Sequence, residues 1–214
     1  MTAADLSRRA LLAGAGAFGL AASVPLRLPR ALAAEGPLTR AIPSTGERLP
    51  AVGLGTWVTF NVGRDEALRR QRTEVLRAFL AAGGGMVDSS PMYGTSPEVI
   101  GDALRRIGDS GGLFSASKVW TPMSADAEAQ MAESREKWGV ERFDLMQVHN
   151  LVDWQSHLET LRAEKAAGRI RYIGITTSHG RRHEEMEKIM ASEAIDFAQF
   201  TYNILDREAE QRLL

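Results

Sequence analysis

The sequence predicts an α/β protein built on a parallel sheet, and three observations predict it. From Leu49 onward, short apolar runs alternate with stretches of helical period, the rhythm of repeated strand–helix units. Glycines fall where the helical stretches end, at Gly83-Gly84-Gly85, Gly139 and Gly168, as C-terminal caps do. Asp88, Lys118, His149 and Thr176 each close a different apolar run, and Tyr93 follows the second. An α/β barrel gathers such strand ends on one face, whereas a doubly wound sheet spreads them along a line and carries a phosphate-binding glycine loop after its first strand. The first run ends in Gly53-Leu54-Gly55-Thr56-Trp57, which lacks that loop's spacing. The expected fold is therefore a TIM (β/α)8 barrel, of which this chain supplies about six βα units.

The elements follow in order. Thr39 to Pro43 and Arg48 to Pro50 flank the turn-like Ser44-Thr45-Gly46-Glu47 and predict a small hairpin. Six strands are expected, at Ala51 to Gly55, Met86 to Asp88, Leu113 to Lys118, Leu145 to His149, Tyr172 to Thr176 and Asp196 to Tyr202. Between them, Val75, Leu76, Phe79 and Leu80, then Trp154, Leu158 and Leu161, then Met186, Ile189 and Met190 recur at helical spacing. Those faces should cover the sheet. Asp206 to Leu214 reads as the start of a sixth helix.

Composition removes several classes of function. The 214 residues carry 26 Lys and Arg against 27 Asp and Glu, a formal net charge of −1. With no basic block there is no electrostatic footprint for nucleic acid. The absence of cysteine excludes disulfides, thiolate metal sites and a cysteine nucleophile. The N-terminus reads as an address: Ser7-Arg8-Arg9-Ala10-Leu11-Leu12, a weakly apolar run to Ser23, and Ala31-Leu32-Ala33 as a cleavage pattern. The run is shorter than a bilayer-spanning helix requires, so no stable membrane anchor is expected. The paired arginines resemble a twin-arginine (Tat) signal peptide, which implies export by the Tat machinery to the periplasm or beyond. Arg27 and Arg30, ahead of the cleavage pattern, fit a Tat leader better than a Sec one. Removing residues 1–33 takes away four arginines and Asp5, moving the formal charge from −1 to −4 and leaving 34–214 as the mature chain. Within this leader Gly14-Ala15-Gly16-Ala17-Phe18-Gly19 matches G-x-G-x-x-G. Without a preceding strand it does not make a dinucleotide site.

Six strings carry a resemblance: LPAVGLGTW (49–57), MVDSSPMYGTSPEVIGDAL (86–104), SASKV (115–119), DLMQVHN (144–150), GRIRYIGIT (168–176) and QFTYNILDR (199–207). In order and spacing they are similar to the aldo/keto reductases, across nearly all of the mature chain. The resemblance implies an eight-stranded barrel that reduces an aldehyde or ketone to an alcohol with NADP, or NAD, as cofactor. It puts the family's catalytic tetrad on Asp88, Tyr93, Lys118 and His149. Chemistry gives each a task. A phenol near pKa 10 is a reluctant acid, so the Lys118 ammonium is expected to lower the pKa of Tyr93. Asp88 is expected to hold that lysine charged, and His149 to donate a hydrogen bond to the substrate oxygen. The tautomer of His149 is not readable from sequence. Each residue alone has an ordinary structural explanation; the four together, in the family's order, favour the site.

The resemblance also implies that Thr176, Thr177 and Gln199 hold the nicotinamide carboxamide. The family places Ser-Asn where Thr176-Thr177 stand here, and a threonine cannot supply both the amide donor and the amide acceptor of asparagine. Trp57 and Trp120 are expected to line the substrate mouth, Trp138 and Trp154 to pack on helices, and His157, His179 and His183 to be solvated. Two rival functions remain. A metal-dependent barrel hydrolase would use Asp88 and His149, but clustered ligand spacing is missing, so no metal is expected. A non-catalytic module sensing bound cofactor would keep the fold without turnover. A closed barrel needs eight strands, so the 214-residue chain is expected to be a truncated reading of a longer gene. By itself it should neither bind NADPH tightly nor turn over. Saturable NADPH fluorescence enhancement by residues 34–214 at micromolar concentration would defeat that expectation.

Overall fold

The computed structural model describes residues 36–214; the leader reading for 1–33 lies outside the described residues. Two strands form an antiparallel hairpin, β1 (Thr39–Ala41) with β2 (Arg48–Pro50). Six more, β3 (Leu54–Gly55), β4 (Met86–Asp88), β5 (Phe114–Val119), β6 (Phe143–Val148), β7 (Ile170–Thr176) and β8 (Phe197–Gln199), form one sheet. All its pairings are parallel and each strand bonds to the next in sequence, the order in which a barrel is wound. The helices are α1 (Trp57–Phe60), α2 (Glu66–Ala81), α3 (Ser96–Ile107), α4 (Ala127–Trp138), α5 (Trp154–Ala166) and α6 (His183–Ser192). The result is a six-stranded half-barrel with β3 and β8 at its edges.

Two apolar layers hold it. On the outside, Leu76, Val99, Ile100, Ala103, Met131, Leu158, Leu161, Met186 and Ile189 turn one stripe of each helix onto Val87, Val119, Met146, Val148, Ile173 and Ile175. On the inside, Phe114, Ala116, Leu145 and Tyr172 pack with Ile42 of the hairpin, joined by Leu49, Met86 and Phe197. The hairpin therefore plugs the end of the half-barrel opposite the strand C-termini. Its turn is fixed there by Glu47, which accepts from the Tyr172 hydroxyl at 2.6 Å and pairs with Arg171. Local signals define the helix ends. The Asp65 carboxylate accepts from the backbone N–H of Ala67 and Leu68 to cap α2. Gly139 closes α4 in the left-handed conformation.

Gly101 in α3 shows packing reversing a propensity. Replacing an interior helical glycine by alanine ordinarily stabilises a helix. A Cβ here would lie 1.9 Å from the Lys137 carbonyl oxygen at the end of α4. Gly101→Ala is therefore expected to lower stability by roughly 1–3 kcal/mol, measured by urea unfolding.

Several sequence expectations shift. The first strand is only Leu54–Gly55, and the last is Phe197–Gln199. Residues 206–214 do not begin an α-helix; they hold a 3-10 turn, Glu208–Gln211. Val75 and Met190, expected in the apolar stripes, are exposed, because each lies at the rim of its face beside the buried Leu76 and Ile189. His157 and His183 are not solvated. His157 is fully buried, its Nε2 2.8 Å from the Thr121 carbonyl oxygen, and His183 is buried against Phe200. Both sit on the inner side of their helices, where packing removes them from water; His179 is exposed as expected.

Candidate active site

The site stands at the C-terminal ends of the strands. Asp88 is the last residue of β4 and Lys118 the fifth of the six in β5, one parallel strand over. The Lys118 side chain is 1% exposed, and its Nζ donates to Asp88 Oδ2 at 2.6 Å and to the Ser89 carbonyl oxygen at 2.9 Å. The other Asp88 oxygen accepts from Gln147 Nε2 at 3.2 Å, and Gln199 Nε2 lies 3.5 Å from Oδ2. Asp88, Gln147 and Gln199 come from β4, β6 and β8. Alternate strands of a curled sheet point their side chains into the same interior layer. Gly174 of β7, paired with Gln147, makes room for this, since a Cβ there would meet Gln147 Cγ at 2.9 Å.

Tyr93 hangs over this pair from the loop between β4 and α3. Its ring centroid is 5.0 Å from Lys118 Nζ, 5.7 Å from the His149 ring in an edge-on arrangement, and 6.5 Å from the Trp57 ring. His149 directly follows β6 and is buried, its Nδ1 2.9 Å from Ser90 Oγ. The structure thus brings all four predicted tetrad residues together. Tyr172, which lies within strand β7, hydrogen-bonds instead to Thr45 and Glu47 at the hairpin end.

Electrostatics correct one expectation. Tyr93 is not tuned downward by Lys118: burial raises its pKa above the ordinary phenol value, and the Asp88 charge raises it further. Burial also pushes Lys118 down against the opposing pull of Asp88, the carboxylate to which its Nζ is bonded. The phenol is therefore held in its protonated, donating form. His149 is pushed down to about 4, first by burial and then by the Lys118 charge, so the imidazole is neutral at pH 7. The unfolded imidazole, near 6.5, takes up its proton first as pH falls, and the folded state loses stability between about pH 6.5 and 4. Urea unfolding should show the wild type losing roughly 3 kcal/mol more over this window than His149→Gln.

The remaining expected residues divide. Thr176 is buried at the end of β7, and its hydroxyl oxygen accepts from the Asn150 N–H at 3.0 Å. Gln199 is exposed, leaving its amide oxygen and most of its donor capacity open. Thr177 is buried, and its hydroxyl donates to the Arg181 carbonyl oxygen, so it does not offer that hydrogen to a ligand. The tight turn after β7 imposes this bond and leaves the hydroxyl oxygen as an acceptor. Trp57 and Trp120 are 58% and 41% exposed at the rim. The Gln130 amide clamps Trp120 by both backbone groups, at 2.6 and 2.7 Å.

Sequence reasoning missed Ser90, Gln130, Gln147 and Asn150. Gln147 was the most visible, a polar residue between the apolar Leu145-Met146 and Val148 of β6. Asn150, with its φ of 54°, sits in the left-handed region that asparagine tolerates. Among the described residues, no three His, Asp or Glu side chains gather as a metal would need, and no helix is long and apolar enough to cross a membrane.

A parallel half-barrel with its reactive side chains at the strand C-termini defines a protein of the (β/α) barrel class. The chain belongs to the aldo/keto reductase family, whose model matches residues 51–214. It is 29% identical over 191 residues to the aldo-keto reductase YhdN of Bacillus subtilis, covering 81% of this chain and 56% of YhdN. It is also 29% identical over 176 residues to the methylglyoxal reductase YeaE of Escherichia coli, covering 78% of this chain and 59% of that one. The solved thermostable aldo-keto reductase Tm1743, in complex with epalrestat, superimposes with a TM-score of 0.69 at 29% identity, covering 82% of this chain and 66% of its own. An aldo/keto reductase from Klebsiella pneumoniae, solved with NADP and acetate, gives a TM-score of 0.66 at 25% identity, covering 78% and 60%. The chain thus spans little more than half the length of the curated relatives it matches.

Proposed function

We propose that this protein reduces an aldehyde or ketone to an alcohol with NADPH, or NADH, using Tyr93 as the proton donor. The observation that carries the reading is the stack at the strand ends: Asp88 bonded to a buried Lys118, Tyr93 above that ammonium, and the neutral His149 edge-on to Tyr93. When bound, a reduced nicotinamide supplies hydride to the carbonyl carbon. Tyr93 gives its hydroxyl hydrogen to the carbonyl oxygen, and the phenolate left behind faces the Lys118 ammonium. Asp88 keeps that ammonium oriented, and His149 donates to the same oxygen as charge develops on it. The donor set fits a carboxamide: the exposed Gln199 amide offers acceptor and donor, and the Thr176 hydroxyl adds a polar contact. Thr177 frames the turn. Trp57 and Trp120 border the opening through which a small carbonyl substrate enters.

The relative named methylglyoxal reductase and the neighbour bound to NADP support the substrate class and the cofactor. The test is NADPH consumption by the intact enzyme over a panel of aldehydes and ketones. Carbonyl-dependent turnover is expected. Cofactor binding with no turnover across the panel would overturn the reading in favour of the cofactor-sensing module.

We also propose residues 1–33 as a Tat leader and 34–214 as the exported barrel portion, active in the periplasm or outside the cell. The support is the Ser7-Arg8-Arg9-Ala10-Leu11-Leu12 pattern followed by Ala31-Leu32-Ala33. Tat carriers move folded proteins, which allows cofactor to be loaded beforehand. A reporter fused to residues 1–40 should be exported, and the export should stop when Arg8 and Arg9 both become Lys. Export that persists would remove the Tat assignment.

A further inference from the structure

The usefulness of His149 depends on which ring nitrogen bears its proton, and Ser90 supplies the information. Ser90 is fully buried in the loop after β4. Its Oγ lies 2.9 Å from His149 Nδ1 and accepts the Met92 backbone N–H at 3.2 Å. A serine hydroxyl has one hydrogen to give and two lone pairs. Were Nδ1 protonated, Ser90 would accept from both neighbours, and its own hydrogen would be left without an acceptor among the groups that surround it. That arrangement carries the full penalty of an unmade buried hydrogen bond. In the reverse arrangement Ser90 donates to Nδ1 and accepts from Met92, so the hydroxyl, Nδ1 and the Met92 N–H are all paired.

We propose that Ser90 is a positioning residue that fixes His149 as the Nε2–H tautomer, with Nδ1 as acceptor and Nε2 as the ring's donor. The same loop residue also holds Tyr93, whose backbone N–H donates to the Ser90 carbonyl oxygen at 2.9 Å. One residue thus sets both hydrogen-donating groups of the site. The adjacent Ser89, equally buried, has no hydrogen-bond partner on its hydroxyl, so the two serines are not equivalent. The use of this tautomer, an N–H for a carbonyl oxygen, rests on the function proposed above; the tautomer itself does not.

The experiment is ¹H–¹⁵N correlation of the histidine rings in the ¹⁵N-histidine-labelled 214-residue chain, with His149 assigned by the signal lost in His149→Gln. The expected result is a pyridine-like Nδ1 and a pyrrole-like, proton-bearing Nε2. Ser90→Ala should move both signals towards the average of a tautomer mixture and raise the His149 pKa, because a bond to the neutral form is lost. Ser90→Thr should restore both signals, and Ser89→Ala should leave them where they are. In the intact enzyme, Ser90→Ala should lower kcat severalfold with KM retained. A pyrrole-like Nδ1 in the wild type, or a Ser90→Ala spectrum identical to it, overturns the proposal. An Nε2–H ring in a protein that reduces no carbonyl supports the Ser90 assignment and overturns the function instead.

Discussion

Tyr93→Phe is expected to lower kcat for carbonyl reduction by on the order of 100-fold or more, with KM for the carbonyl nearly unchanged. The substitution deletes one hydroxyl and keeps the ring, so the edge contact to His149 and the approach to Trp57 survive. What is lost acts only in the transition state, the proton passed to an oxygen that becomes basic as hydride arrives. Because burial and Asp88 hold the Tyr93 phenol above its ordinary pKa, reduction should continue into the alkaline range without the loss that a phenolate-forming tyrosine would cause. An unchanged kcat in Tyr93→Phe, with chemistry shown to be rate-limiting, would remove Tyr93 from the reaction.

Lys118→Met is expected to be the most destabilising single change in the site, by about 3–5 kcal/mol, or about 10 °C in Tm for a domain of this size. The ammonium is buried, and its removal leaves the Asp88 carboxylate with only the Gln147 and distant Gln199 amides as partners. The cost belongs to the stranded charge rather than to the lost contact. The double variant Asp88→Asn, Lys118→Met should therefore recover much of the stability of Lys118→Met while remaining impaired in turnover. A double variant no more stable than Lys118→Met would show that the buried pair does not act as a unit. Thermal unfolding of the two variants beside the wild type, with kcat measured on each, separates the two roles.

The sequence by itself determined the class of fold and the order of its six parallel strands, and the family resemblance it carries put forward the four candidate site residues. Periodicity and glycine placement are local properties, and Met86–Asp88 and the hairpin could be read from a few neighbouring residues. Asp88, Lys118 and His149 were legible because they close three successive apolar runs, with Tyr93 in the loop after the first of these, and parallel strands must bring such ends to one face. Tertiary structure alone decided the state of those groups. Whether Lys118 tunes Tyr93 or is consumed by Asp88 depends on distances between strands that no spacing encodes, and on burial, which reverses the expected direction of the Tyr93 shift. The same is true of His157, polar by composition yet wholly enclosed between α5 and the loop after β5. It is true above all of Ser90 and Ser89, neighbours of identical chemistry in the chain. Only the fold sets one against His149 Nδ1 and leaves the other without a partner, because a hydrogen bond requires direction as well as proximity.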